Sequence, residues 1–187
     1  MSTCALVIGH SKNSPGASNA DTNLYEFEFN DKMARQIHTL SDQVDILLVY
    51  RKTYRELPDD INKLNPDFIL SLHCNAFNRQ ASGTQVLYYH RSSIGKTMAE
   101  LTQTRLRNCL GLRDRGIEGI TSEDRGGYLV RYTRSPCIIA EPFFIDNNND
   151  LAIAQQNFNP LCFAYIDAIN DINAMLQQQR SPTIEPA

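Results

Sequence analysis

The strongest constraint on this sequence is a short apolar run, Phe68–Leu72, that leads directly into His73. Five residues are too few for a helix, and the run is too apolar for either face to meet water. It therefore predicts a strand that is buried on both faces. In an open parallel α/β sheet, ligands bind at the carboxyl ends of the strands. We therefore expect His73 to face a ligand, and we interpret that ligand as a metal ion.

Similar runs recur along the chain and alternate with helical patterns. Strands are predicted at 4–10, 45–51, 68–72, 83–90 and 136–144, and helices at about 23–40, 57–64, 92–110 and 148–179, the last interrupted near Pro160. Residues 111–135, rich in arginine and glycine, are predicted to form a long functional loop with short pieces of structure. The predicted fold is α/β: a single domain, with a mostly parallel twisted sheet of about five to six strands and helices on both faces. The domain should cover 1–179 and a flexible tail 180–187.

Composition limits the classes of partner. The chain has 187 residues, 42% of them hydrophobic, and a net charge of −3, which fits one soluble core and gives no electrostatic case for nucleic acid or an anionic membrane. The five cysteines are odd in number and have no C-x-x-C pair, so we expect reduced thiols in the core. Without a leader-like start or a membrane-length apolar run, synthesis in a cytoplasm and a monomeric state are expected.

The first predicted helix carries an acid on its buried side. Its inward stripe consists of Asn30, Met33, Ile37 and Leu40. Glu26 extends that stripe by one turn, and a buried carboxylate needs a cation or several donors. Glu28 lies on another row, where Lys32 is its i,i+4 partner, so it is predicted to face solvent.

Four polar residues at strand or helix ends are thus unexplained by their local pattern: His10, Glu26, His73 and Glu141. Two imidazoles and one carboxylate form the ligand set of many hydrolytic zinc sites, which keep a fourth position for water. A further carboxylate can move the protons of that water. We therefore interpret His10, Glu26 and His73 as ligands of one Zn²⁺ per chain, and Glu141 as the catalytic base.

Other interpretations remain open at this stage. Glu26 could form a capping box with Asn23 and play no part in chemistry. The two histidines could be hydrogen-bonded strand-end residues, and Glu141 could pair with a nearby arginine. Cys74 could be a thiol nucleophile, although adjacent strand residues point to opposite faces, so that only His10 could serve as its base.

Four motifs in order resemble a known family. They are Val7-Ile-Gly-His10 with Pro15-Gly-Ala17, Glu26 with Asn30, Ser71-Leu-His73-Cys-Asn75-Ala76 followed by Gly83, and Glu141-Pro-Phe-Phe-Ile-Asp-Asn147. Together they resemble the zinc-dependent N-acetylmuramoyl-L-alanine amidases, and the likeness spans nearly the whole chain. It implies that zinc is bound at His10, Glu26 and His73 and that Glu141 is catalytic. The sequence departs from many relatives around His10, where an aspartate and a glycine pair are common.

The resemblance implies a peptidoglycan hydrolase that cuts between N-acetylmuramic acid and the first alanine of the stem peptide. Asn75, Arg115 and Arg131 are predicted substrate-binding residues. A compact domain without a leader resembles a phage endolysin, which is made in the cytoplasm and released to the wall; wall-fragment recycling is the alternative. A zinc peptidase acting within the stem peptide and an inactive wall-binding module are the other hypotheses.

Overall fold

A computed structural model describes residues 1–180. Its strands are β1 Thr3–Ile8, β2 Ser18–Asn19, β3 Leu24–Tyr25, β4 Asp45–Tyr50, β5 Phe68–Leu72, β6 Thr84–Tyr89, β7 Asp114–Ile120 and β8 Cys137–Glu141. Its helices are α1 Glu26–Leu40, α2 Leu57–Leu64, α3 Ser93–Leu110, α4 Gly127–Tyr132, α5 Asn148–Gln156 and α6 Phe158–Arg180. The predicted single α/β domain is confirmed.

One sheet of six strands organises this part of the chain, in the order β4-β1-β5-β8-β6-β7. The first four are mutually parallel; β6 runs antiparallel to β8, and β7 runs parallel to β6. The carboxyl ends of β1, β5 and β8 therefore share one edge of the sheet with the amino ends of β6 and β7. This edge is where the sequence places His10, His73 and Glu141.

The two faces of the sheet are covered unequally. Alternate residues of β1 enter different cores, because successive strand side chains point to opposite faces: Leu6 joins the core under α1, α3 and α6, and Val7 joins the core under α2 and α4. Helices α1, α3 and α6 have 15, 18 and 23 residues, whereas α2 and α4 have only 8 and 6. The short helices leave a cleft on their face of the sheet.

The structure corrects several predicted boundaries. Helix α1 begins at Glu26, not near residue 23, because Asn23 has a left-handed backbone (φ 56°). Leu40, placed on the inward stripe, is 41% exposed, since the helix ends there and its last turn overhangs the core. Arg180, assigned to the flexible tail, ends α6 and pairs with Asp67 (2.8 Å). The rest of the predicted tail lies outside the described residues.

The segment 111–135, predicted as a loop with short pieces of structure, contains more regular structure than expected. It contains the strand β7 and the helix α4. Strand β7 is the outermost strand of the sheet and is largely exposed, so it lacks the apolar pattern of a buried strand. Its glycines and arginines therefore resembled loop composition.

Candidate metal centre

Two histidines follow neighbouring parallel strands at the same edge of the sheet. Gly9 continues the β1–β5 pairing, because its N–H donates to the Leu72 carbonyl (2.9 Å). His10 then turns out of the strand with a left-handed φ of 69°. The His73 N–H donates to the Ala140 carbonyl of β8 (3.0 Å). The two imidazole rings meet edge to face, with centroids 5.3 Å apart.

Glu26, the first residue of α1, presents its carboxylate to both rings. Its Oε1 lies 2.9 Å from His73 Nδ1, and its Oε2 lies 3.2 Å from His10 Nε2. Each oxygen also accepts a backbone N–H: Oε1 from Cys74 (2.9 Å) and Oε2 from Ala17 (3.1 Å). The side chain is fully buried, so these donors fix its orientation.

The surroundings of Glu26 keep it charged. Burial alone would raise the pKa of this carboxyl, but the adjacent His10 and His73 rings outweigh burial and lower the pKa well below its ordinary value. The site therefore contains a buried anion aimed at two imidazoles, which is the electrostatic arrangement that a cation requires.

These three side chains fit a metal ion. One ligand atom from each of His10, Glu26 and His73 lies within 4.8 Å of the others. The His10 Nε2 atom is buried and has no partner that meets hydrogen-bond geometry, despite its short distance to Glu26. Two imidazole nitrogens and one carboxylate oxygen form a donor set that suits zinc. The predicted ligands are thus brought together.

Glu141 ends β8 and lines the same cleft as His10 and His73. This cleft has a volume of about 330 Å³ and an apolar floor that includes Val7, Leu87 and Ile139. Burial raises the pKa of the Glu141 carboxyl; His73, Arg125 and Arg115 act in the lowering direction, and Glu26 acts in the raising direction. A carboxylate whose pKa is moved toward neutrality is a better general base.

The structure decides between the alternatives for the other residues. Glu28, not Glu26, caps α1, since its carboxylate accepts the Tyr25 N–H (3.3 Å). Cys74 is buried, and its thiol pKa is raised well above the ordinary value by burial and by the charges of Glu26 and Glu141. A thiol held neutral in this way is a poor nucleophile.

Two of the three predicted substrate-binding residues lie together, and the third lies apart from them. Asn75 and Arg115 line a second cleft of about 520 Å³ at the same edge of the sheet. Arg131 lies on α4 with its guanidinium over the rings of Tyr89 (5.3 Å) and Tyr132 (5.4 Å). Tyr89 ends β6, which runs opposite to β8, so Arg131 is near the other edge.

Two glycines lie within the motifs of the sequence, but the sequence does not predict their role, which is to let the ligands approach one another. A Cβ atom on Gly9 would lie 2.8 Å from His73 Cε1, and one on Gly16 (φ 82°) would lie 2.6 Å from both Glu26 Oε2 and His10 Cδ2. The signal available was their position beside the ligands, in Gly9-His10 and Pro15-Gly16. Arg125, which lines the first cleft, was also missed, because it lies in the segment taken for a loop.

The fold and the site define an α/β domain with a candidate metal centre at the carboxyl edge of its sheet and a carboxylate across the cleft. The model of the family described as N-acetylmuramoyl-L-alanine amidase matches residues 4–171, and the chain belongs to this family. Within residues 1–180, the helices are all too short or too polar to span a bilayer.

Similar proteins include the N-acetylmuramoyl-L-alanine amidase LytC of Bacillus subtilis, which is 28% identical over 157 residues. That match covers 79% of this chain but only 30% of LytC, so the chain spans about a third of its relative. The catalytic domain of CwlV, an amidase from Bacillus (Paenibacillus) polymyxa, has a TM-score of 0.80 at 20% identity and covers 91% of this chain and 97% of that one. The catalytic domain of the CD27L endolysin, which targets Clostridium difficile, has a TM-score of 0.68 at 21% identity, with coverages of 91% and 98%.

Proposed function

We propose that this chain is a zinc-dependent N-acetylmuramoyl-L-alanine amidase. It hydrolyses the amide between the lactyl group of N-acetylmuramic acid and the first alanine of the stem peptide. The observation that carries the proposal is the buried Glu26 carboxylate held against His10 and His73, with Glu141 in the same cleft. Family membership supports the choice of substrate, since the matching family model and LytC bear the name of this activity.

The ligands and the base have separate roles. His10, Glu26 and His73 would hold Zn²⁺, which when bound lowers the pKa of a water ligand toward about 7 and polarises a carbonyl group. Glu141 takes a proton from the attacking water at its carboxylate. The same group then gives the proton to the departing alanine nitrogen, which leaves as an amine.

The first test compares the wild-type protein with Glu141→Gln on purified peptidoglycan. The wild type should release stem peptides with free alanine amino termini, detected by mass spectrometry, and a chelator should stop the release until zinc is restored. Glu141→Gln should lose at least about 100-fold in rate, the scale of general acid–base catalysis, while still binding one zinc per chain. Wild-type rates in Glu141→Gln would refute the assignment.

The same digest separates the competing hypotheses. A peptidase would leave alanine attached to the sugar and release shorter peptides, whereas an inactive wall-binding module would sediment with the wall and release nothing. Intact walls and soluble muramoyl peptides are assayed side by side, because an endolysin acts on the polymer and a recycling enzyme on soluble fragments.

A further inference from the structure

Arg115, near the amino terminus of β7, has no direct ion pair in the described part of the chain, although its charge acts to lower the pKa of Glu141. Its guanidinium lies over the Phe144 ring, 5.1 Å from the centroid. Within residues 1–180, no carboxylate is within ion-pair distance of Arg115 or of its neighbour Arg113. Nearby arginines differ, since Arg107 pairs with Asp114 (3.0 Å) and Arg105 pairs with Asp171 (2.8 Å). Arg115 thus keeps its charge available for a ligand.

The Arg115 side chain is also held in place before any ligand binds. A Cβ atom on Gly83 would lie 2.9 Å from Arg115 Cγ, so the absence of a side chain there gives the arginine stem its path. Gly83 is anchored in turn, because its N–H donates to the buried Asp150 (3.1 Å). Stacking on Phe144 orients the guanidinium plane. A side chain ordered in advance loses less entropy when it binds.

Arg115 lines the second cleft together with Arg113, Asn75 and Phe77. Asn75 follows His73 by two residues, and its bridge to Phe144 continues the β5–β8 pairing past the site. The Asn75 Oδ1 atom accepts the Ala76 N–H (2.9 Å), which leaves its amide donors for a ligand. Phe77 is 80% exposed at the rim. We propose that this cleft binds a carboxylate of the stem peptide, with Arg115 as the main ligand and Arg113 as the second.

The proposal rests on the proposed amidase function. The chemistry of the substrate then tells on which side of the scissile amide the bound carboxylate lies. The carboxyl group of muramic acid is consumed in the scissile amide, so a single muramoyl unit offers only neutral groups on the sugar side. Free carboxylates lie on the peptide side, which leaves as the amine. The second peptide residue lies about 7 Å from the scissile nitrogen in an extended chain. Strand β7 lies two strand spacings, about 10 Å, from β8, and Arg115 reaches back toward it over Phe144.

The test uses two synthetic substrates: the γ-methylamide of N-acetylmuramoyl-L-alanyl-D-glutamate, whose α-carboxylate is free, and the same compound with that α-carboxylate converted to an amide. Wild type should prefer the acid. Arg115→Gln should lose about 10- to 100-fold in kcat/KM on the acid, mostly through KM, and change little on the amide. Both substrates use Glu141, so a change in the pKa of that base would affect them equally. Arg115→Lys should restore only part of the loss, because it cannot bind in bidentate fashion.

Arg91→Gln is the control, since it removes the same charge from an exposed position after β6, at the opposite edge of the sheet. Equal losses of Arg115→Gln on both substrates, or no preference of the wild type for the acid, would overturn the proposal. The γ-methylamide of the dipeptide L-alanyl-D-glutamate, which keeps the free α-carboxylate, gives a readout that needs no turnover. Its affinity, measured by calorimetry on zinc-loaded protein, should fall in Arg115→Gln only. If neither substrate is cleaved but this dipeptide binds through Arg115, the proposed function fails and the carboxylate site stands.

Discussion

At the residue scale, the site depends on one buried acid whose four contacts come from the loop after β1 and from the end of β5. Glu26 meets a backbone N–H from the loop before it, another from the end of β5, and the two imidazoles. Burying a carboxylate is costly unless each oxygen has a favourable partner. In Glu26, each oxygen accepts one backbone N–H and faces one imidazole ring. Its buried position distinguishes Glu26 from Glu28, an exposed glutamate on the same helix turn.

Glu141 leads to a prediction about pH. Because burial raises its pKa, the general base should lose its proton only above the ordinary glutamate range, so kcat/KM should rise with pH through that higher value. The charge of Arg125 lowers the pKa of Glu141. Arg125→Gln should therefore shift the acidic limb to higher pH, as measured by initial rates from pH 4 to 9. A limb that stays in place, or moves to lower pH, would contradict the assignment of Glu141 as the base; Arg91→Gln again serves as the control.

The residues of the centre could be predicted because each breaks a local pattern: His10 and His73 end buried strands, and Glu26 continues an apolar stripe. The contacts around them could not be predicted. The approach of Gly16 to Glu26 and His10 joins segments whose spacing is set only when α1 docks on the sheet. For the same reason, the sequence alone could not separate Arg115, which lines a cleft, from Arg131, which stacks on tyrosines at the other edge.

At the element scale, the sequence predicts the limits of buried elements well and those of exposed elements poorly. Strand β5 and helix α2 have the predicted limits, because the first is wholly buried and the second has strong end signals. Strand β7 was missed because pairing with β6, and not a buried face, makes it a strand. This miss concerned the site directly, since β7 carries Arg115.

A buried carboxylate in α5 fixes the elements around the second cleft. Asp150 accepts hydrogen bonds from Ser82 Oγ (2.5 Å), the Gly83 N–H (3.1 Å) and the Phe144 N–H (3.1 Å). Asp150→Ala should cost about 3 kcal/mol of unfolding free energy, because two buried N–H groups lose their acceptor. Thermal melts should show Tm lower by about 6 to 12 °C.

Ser82→Ala is the matched control for this prediction. It removes one side-chain donor and leaves the backbone bonds of Asp150 in place, so its Tm should fall by less than half as much. If Asp150→Ala melted with the wild type, the carboxylate would not be holding these segments together.

At the scale of the whole molecule, the direction of the strands gathers the chemistry at one edge. A purely parallel sheet would have placed the amino ends of β6 and β7 away from the candidate metal centre. Because β6 runs antiparallel to β8, Gly83 and Arg115 reach the edge where His73 and Glu141 end their strands. The mostly parallel sheet was predicted, but this reversal was not, since apolar runs do not encode strand direction.

Metal binding should stabilise the whole domain, because the three ligands come from β1, β5 and α1 and meet only in the folded state. Zinc at 100 times its dissociation constant should add about 2.7 kcal/mol to the unfolding free energy. For a domain of this size, that corresponds to a rise in Tm of about 5 to 11 °C, measured by calorimetry with zinc and with a chelator. Glu26→Gln should abolish the rise, whereas Glu141→Gln should retain it, since we propose Glu141 as the base and not as a ligand. An equal rise in wild type and Glu26→Gln would mean that zinc binds elsewhere, and the centre described here would have to be abandoned.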